Sequence, residues 1–365
     1  VTQISSIKLY NFRNYAEAEI NFSSQVTVIY GTNGSGKTNL LEAISLLTPG
    51  KGLRNAGLDE IAKNGAGEWA IISEAGGYKI STGLELGLSK RTVKIDNEKQ
   101  RGANVLAEYV SAIWLTPQMD GIFLESNSDR RKFFDRIIYN FDPEHASRVA
   151  VYENATSERL RLLKNGSGDQ IWLKTLEKRM AEYGVAIAAA RNEVIGYLQD
   201  FLNAGETNFP KPIIEIRGKY EFLLHEYSAL EVEQIFLSDL TEARGQDAAN
   251  GRTAFGVHKT DFYVINAVKN LPAYLSSTGE QKALLLSIIL GLARLLKARK
   301  NKTPIVLLDE VIAHLDENRR QELYDEIKNL GCQTFLTGTE KPVFEGISGA
   351  VFHRVDNSFI TPCFA

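Results

Sequence analysis

A length of 365 residues with 44% apolar and 24% charged side chains describes a soluble globular protein of two or three domains. The net charge of −3 supplies no global attraction to nucleic acid, and two cysteines, Cys332 and Cys363, exclude a disulfide framework or a cysteine metal cluster. No segment has the apolar length of a membrane span, and the first residues lack the basic start and apolar run of a signal peptide, which predicts a cytoplasmic protein without a membrane partner.

Apolar runs predict strands at Ile4 to Leu9, Ala18 to Ile20 and Val26 to Tyr30. The third leads into Gly31-Thr32-Asn33-Gly34-Ser35-Gly36-Lys37-Thr38, which fits GxxxxGK followed by Ser or Thr at every fixed position. A helical pattern follows at Leu40, Leu41, Ile44, Leu46 and Leu47. Strand, glycine loop and helix are the context in which this motif binds a nucleoside triphosphate. Its glycines let successive backbone N–H groups converge on phosphate oxygens at a positive helix N-terminus, Lys37 can reach the β and γ phosphates, and Thr38 can ligate Mg²⁺. The cofactor-binding stretch is taken through Asn39.

Further strands are predicted at Trp69 to Ser73, Tyr78 to Leu84 and Thr92 to Ile95, with a hairpin turn at Gly76 and Gly77. From about Asp129 the pattern turns helical. Leu173, Leu176, Met180, Tyr183, Ile187, Ala190, Val194, Tyr197 and Phe201 make a coiled-coil-like seam, and Val149, Tyr152, Thr156, Leu160 and Leu163 a weaker stripe before it. The short linker from Asn165 to Asp169 folds these two helices back on each other. Ser228 to Glu231 reads as a capping box opening another helix through Leu230, Ile235, Phe236 and Leu240, which Gly245 to Gly251 is expected to break. Helix returns from Gln281 to Ala298, then a strand from Ile305 to Leu308, a helix from Glu317 to Leu330, a strand from Thr334 to Thr337, and a hairpin turning at Asp356 and Asn357.

The strand Ile305 to Leu308 ends in Asp309 and Glu310, the expected complement of a phosphate loop: Asp309 to hold the Mg²⁺ hydration shell, Glu310 to polarise the attacking water. Ser277-Thr278-Gly279-Glu280 precedes it and Leu315-Asp316 follows it. Phosphate loop, Ser-x-Gly-Glu signature, acidic strand end and Leu-Asp pair, in this order, resemble the ATP-binding cassette superfamily. That resemblance implies that Ser277 and Gly279 face the γ-phosphate held by a second subunit, hence an ATP-sandwiched homodimer. Gln118, after Ile113-Trp114-Leu115-Thr116-Pro117, resembles the Q-loop glutamine, which contacts Mg²⁺ and the attacking water. The long stretch from Gln118 to Ser277 exceeds what transporter ATPases place there and falls short of chromosome-organising coiled coils.

Local strings resemble one family within that superfamily, the RecF DNA replication and repair proteins: Asn11-Phe12-Arg13-Asn14-Tyr15, the loop through Ile44 (GTNGSGKTNLLEAI), Arg130-Arg131-Lys132-Phe133-Phe134-Asp135, and Gly256-Val257-His258-Lys259-Thr260-Asp261. The resemblance covers nearly the whole chain. It departs at GVHKTD, which lacks the family's proline and first aspartate and so puts a role for Thr260 in doubt. At Thr337-Gly338-Thr339 transporters carry a switch histidine; RecF-like chains also tend to lack it, which leaves the γ-phosphate sensor open. Arg54 stands where the family has an arginine that could touch phosphate or ribose, with a solvated loop charge equally open; Arg13 is either near the nucleotide or an edge-strand charge.

The resemblance implies an α/β fold: a cassette ATPase head from residues 1–117 and 246–365, interrupted by a mainly helical lobe over 118–245. It further implies a slow, DNA-stimulated ATPase that dimerises with ATP on gapped or single-stranded/double-stranded junction DNA, is released on hydrolysis, and works with RecR and RecO in recombinase loading and the SOS response. Lys90, Arg91, Lys94, Lys99 and Arg101, and the run Lys297 to Lys302, are candidate phosphate contacts, with solvated faces as the other reading. His258 reads as structural, and His314, beside Leu315-Asp316, is expected to face the dimer seam without forming a metal site. The rival functions are an ATPase subunit of a membrane transporter and a structural chromosome-organising head.

Overall fold

A computed structural model describes residues 3–166, 169–204, 209–300 and 303–363. It divides into two compact units: Val1–Asp120, Glu206–Phe209 and Leu285–Ala365 form the first, Gly121–Gly205 and Pro210–Leu284 the second.

The first unit opens with β1 (Ile4–Phe12), β2 (Tyr15–Asn21) and β3 (Val26–Tyr30), then α1 (Lys37–Ser45). After it come β4 (Trp69–Ala75), β5 (Tyr78–Leu84), β6 (Thr92–Ile95), β7 (Glu98–Lys99), the short α2 (Leu106–Tyr109) and β8 (Ala112–Leu115). Six of these strands form an antiparallel sheet in the order β2-β1-β4-β5-β6-β7. Two of its hairpins turn on residue pairs with positive φ, Gly76-Gly77 and Asp96-Asn97, a turn whose twist matches that of the flanking strands.

The second unit holds α3 (Asn127–Ile138), α4 (His145–Lys164), α5 (Gln170–Ala204), β9 (Pro212–Arg217), α6 (Lys219–Leu223), α7 (Ala229–Glu242), α8 (Arg244–Asn250), β10 (Asp261–Asn266) and β11 (Leu271–Pro272). The helices pack around Tyr152, Leu176, Met180, Val185, Phe236 and Leu240. Gly184 is required there, since a Cβ would meet the Phe236 ring at 2.5 Å. The boundary between units falls inside α9 (Thr278–Lys300). The first unit then resumes with β12 (Ile305–Leu308), α10 (Glu317–Leu330), β13 (Thr334–Gly338), β14 (Val351–Asp356) and β15 (Phe359–Cys363).

The second sheet of the first unit runs β15-β14-β3-β13-β12-β8, parallel except for β15. The central strands β3 and β12 and the edge strand β8 are buried almost throughout, in keeping with their near-continuous apolar sequences. In such sheets ligands bind beyond the carboxyl ends of the strands. Gly31, Gln118, Asp309 and Thr337 all lie there.

Several expectations change. Residues 246–284 belong with the helical unit, because β10 pairs with β9 and Asp247 of α8 is buried against Arg159 of α4. The helix opened at Ser228 ends at Glu242, just before Gly245, but Gly245 itself lies inside a further helix, α8, which ends at Gly251, the cost of one helical glycine being only about 1 kcal/mol. The seam on α5 drifts from Val194 to Leu198 and Leu202, leaving Tyr197 and Phe201 half-buried, as a straight 3.6-residue helix requires. On α4 the buried stripe is Tyr152, Ala155 and Arg159, and Leu160 and Leu163 are only half-buried. The final turn is Asn357-Ser358, one residue later than read. Residues 167–168 of the α4–α5 linker lie outside the described residues.

Candidate functional site

The loop from Gly31 to Thr38 is shaped by close backbone approaches. A Cβ on Gly31 would stand 2.0 Å from the Val355 carbonyl oxygen, and one on Gly36 would stand 2.6 Å from the Asn14 amide and 2.7 Å from the Tyr15 hydroxyl. The two neighbours of Gly36 also brace the loop. Tyr15 donates from its hydroxyl to Gly36 O at 3.0 Å, and Asn14 donates to Ser35 O at 3.1 Å. Asn39 donates to Asn14 Oδ1 at 2.6 Å. Thr32, Asn33 and Gly34 form the exposed crest, whereas Ser35, Gly36 and Lys37 are buried. Gly36 caps α1 with no side-chain bond, and the first turn has no acidic residue, so its N–H groups are open to an anion.

Lys37 Nζ donates to Gly31 O at 2.8 Å and Thr32 O at 2.9 Å, and lies 3.8 Å from Glu310 Oε1. Burial pushes its pKa down, against the pull of Glu310 and Asp309. Thr38 Oγ1 is 3.0 Å from both carboxylate oxygens of Asp309. Asp309 is held from two more sides: its N–H donates to Leu115 O at 2.9 Å, and its Oδ1 accepts from Thr337 Oγ1 at 2.6 Å. Glu310 has a left-handed backbone, φ 51°, and a side chain 37% exposed. Gln118 is exposed on the short turn Pro117–Met119 that follows β8, beside the strand that delivers Asp309. The structure thus brings Lys37, Thr38, Asp309, Glu310 and the Gln118 turn to one edge of one sheet.

Arg13 and Arg54 converge on a residue the sequence did not single out. Glu42, on α1 and fully buried, accepts from Arg13 Nε at 2.8 Å and Arg54 Nη1 at 3.1 Å, and Arg54 also reaches Asn39 Oδ1 at 2.7 Å. An acid on the apolar side of a predicted helix was the available signal. Arg13 is therefore no free edge charge, and Arg54 no solvated one.

Ser277, in the second unit, opens α9 through a capping box: its N–H donates to Glu280 Oε2 at 3.0 Å and its Oγ accepts from Glu280 N at 3.4 Å. A Cβ at Gly279 would meet nothing within 4 Å, so packing within the chain does not account for that glycine. Asp316 caps α10, accepting from Arg319 N at 2.9 Å. In Thr337-Gly338-Thr339, the segment where transporters carry a switch histidine, a Cβ at Gly338 would meet the Phe344 ring at 2.5 Å. Its lack of a side chain is built into the packing.

One candidate phosphate contact is withdrawn. Arg91 turns inward, donating to Thr82 Oγ1 at 2.7 Å, to Gly50 O at 2.8 Å and to Leu46 O, where it caps the end of α1. Lys297 donates to Leu330 O at 2.7 Å. Lys90, Lys99 and Arg101 are exposed. Residues 301–302 and the side chains of Lys300 and His314 lie outside the described residues. His258 bonds Tyr152 Oη at 2.8 Å and the Thr253 carbonyl at 3.1 Å, a structural setting, and Thr260 donates to buried Glu221 at 2.8 Å.

The RecF/RecN/SMC N-terminal domain family matches residues 3–357. The DNA replication and repair protein RecF of Mesorhizobium japonicum is 43% identical over 371 residues, covering 99% of this chain and 98% of that protein. Its counterpart from Agrobacterium fabrum is 40% identical over 369 residues, with 98% of each covered. Among solved structures, the recombination mediator protein RecF with ATPrS in the RecFOR pathway matches with a TM-score of 0.87 at 24% identity, over 100% of this chain and 98% of that one. That last likeness speaks for the fold, a cassette-type ATPase head with an inserted, mainly helical lobe. On this architecture, this loop and these relatives, the chain belongs to the RecF family of DNA replication and repair proteins.

Proposed function

We propose that the chain is an ATP-switched DNA-binding protein of recombinational repair. The observation that carries it is the meeting of Thr38 with Asp309, and of Lys37 with Glu310, at the open N-terminus of α1. The loop N–H groups bind the phosphates, Lys37 leaves its loop carbonyls for the β and γ phosphates, and Glu310 accepts a proton from the attacking water.

The donor set fits Mg²⁺. Among the described residues no group of three or more His, Cys, Asp or Glu is placed to hold a metal. Mg²⁺ in phosphoryl-transfer sites asks for less, one or two protein oxygens beside the substrate's phosphates. Thr38, Asp309 and Gln118 offer such hard oxygens, and the cation when bound neutralises charge on the phosphates.

Ser277 and Gly279 act on the nucleotide of a second copy, with Asp316 at the same seam; the unfilled surface over Gly279 supports this. ATP then closes a homodimer on gapped or single-stranded/double-stranded junction DNA, slow DNA-stimulated hydrolysis releases it, and RecR and RecO join it for recombinase loading and the SOS response in the cytoplasm. The transporter reading is disfavoured by packing: in Thr337-Gly338-Thr339, where transporters carry a switch histidine, a side chain at Gly338 would meet the Phe344 ring. Gel shifts of gapped, duplex and single-stranded DNA with and without Mg²⁺–ATP test the reading; retention that ignores ATP on all three would refute it.

A further inference from the structure

The residue at the end of β13 ties the site together from behind. Thr337 is 1% exposed, which removes it from contact with phosphate, yet its hydroxyl is used twice. It donates to Asp309 Oδ1 at 2.6 Å and accepts from the backbone N–H of Glu310 at 2.9 Å. The next residue on the same strand end, Gly338, accepts from Gly31 N at 3.2 Å. The end of β13 therefore grips both the first residue of the phosphate loop and the turn that carries Glu310.

That turn needs a grip. Glu310 is a non-glycine residue at φ 51°, a conformation that persists only when its surroundings over-determine it. Strand β12 ends at Leu308, so no ladder bond reaches the Glu310 N–H, and the Thr337 oxygen takes that place. We infer that Thr337 is the positioning residue for Glu310, one hydroxyl fixing both the Asp309 carboxylate and the backbone turn from which Glu310 projects. The inference rests on the ATPase reading above. It requires a hydroxyl, because the group must donate and accept at once; serine retains both capacities, and valine, of the same shape, has neither.

The test compares Thr337→Val and Thr337→Ser with the full chain. Expected for valine is binding of a fluorescent ATP analogue within about 3-fold of the parent, with kcat reduced about tenfold or more, and for serine a kcat within about 2-fold. Mg²⁺–ATP should raise the thermal unfolding midpoint of all three proteins by the same amount, a binding readout independent of turnover. Should the valine chain not fold, Thr337→Cys, a weak donor, replaces it and should fall between serine and the expected valine value. An unchanged kcat in the valine chain, a loss of affinity in step with kcat, or no rescue by serine would each overturn the inference. A parent chain that neither binds nor hydrolyses ATP would overturn the ATPase reading itself, and this one with it.

Discussion

Thr38 and Asp309 are 271 positions apart in the chain, and the Thr38 hydroxyl lies 3.0 Å from both oxygens of the Asp309 carboxylate. This contact joins the start of α1 to the end of β12, and with it the phosphate loop to the turn that carries Glu310, the residue proposed to activate water. Glu310 follows directly on that strand, so its role can be separated from that of Asp309.

Glu310→Gln keeps the side-chain shape and the Thr337 bond to its backbone while removing the proton acceptor. Hydrolysis should fall by about 10²–10⁴-fold with ATP binding retained. Sedimentation with Mg²⁺ and ATP should then show the dimer accumulating. Only monomer under those conditions would count against the sandwiched-nucleotide arrangement.

Ser277→Arg should leave ATP binding to a single chain intact and abolish both dimerisation and hydrolysis, because the guanidinium occupies the seam where a second chain's γ-phosphate is to sit. Lys37→Arg should weaken the ATP-driven state, since a wide planar cation cannot fill the space between Gly31 O, Thr32 O and Glu310 as an ammonium does. Mixing the two variants gives heterodimers with one intact composite site. Recovery of part of the ATPase activity is expected on mixing; normal hydrolysis by Ser277→Arg alone would end the assignment of Ser277 to the partner's nucleotide.

The buried His258 should make the helical unit sensitive to acid. Burial lowers its pKa from 6.5 to about 4, with Lys259 and Arg131 pushing the same way and the Thr253 carbonyl opposing. Its bond to the Thr253 carbonyl makes Nε2 the donor, so Nδ1 accepts from Tyr152, and protonation abolishes that acceptor. The folded state binds fewer protons than the unfolded one between these two values. The stabilisation is therefore complete above about pH 6.5 and is lost as pH falls toward 4, a change on the order of 3 kcal/mol. His258→Gln, which can donate and accept at the same places, should flatten denaturation midpoints across that window. Parallel profiles for the two proteins would show that other groups control the acid limit.

Gly338→His, a histidine in the segment where transporters carry their switch residue, should destabilise the fold. Its Cβ meets Phe344 at 2.5 Å, so the ring must move, at a cost of about 1–3 kcal/mol in thermal or denaturant unfolding. An unchanged unfolding midpoint would show that Phe344 yields freely.

What was legible in the sequence was what is local. The loop from Gly31 to Thr38, β5, β6, β12 and α10 follow from glycine spacing, apolar runs and caps within a few residues of each other. The capping box at Ser228 and Glu231 is present as read. The misses depend on partners distant in the chain. The three-stranded sheet of β9, β10 and β11 is not announced by the sequence because β9 lies among helices and pairs with β10 across a long interval. Arg159 is fully buried because Glu177 and Asp247 meet it at 3.0 and 2.6 Å, and Arg191 because Asp135 and Glu221 do so at 2.8 and 3.0 Å. No periodicity announces an arginine in a core, and removing one partner of such a pair typically costs about 3–5 kcal/mol. Arg91 was misread for the converse reason: a basic run looks solvated until the carbonyls at the end of α1 appear beside it.

The ladder of the parallel sheet bears on how the protein is made. Strand β3, which feeds the phosphate loop, pairs on one side with β13 and on the other with β14. Both partners come from residues 334–356, after the entire helical unit. While a ribosome works through that unit, Val26 to Tyr30 has two open edges, and the helical unit is free to fold first. The nucleotide pocket is thus finished only after its own insertion has been synthesised. Nascent chains should need protection over the N-terminal strands, and refolding from denaturant should be slow in the ATPase unit relative to the helical one, as expected where the decisive pairings close such long loops.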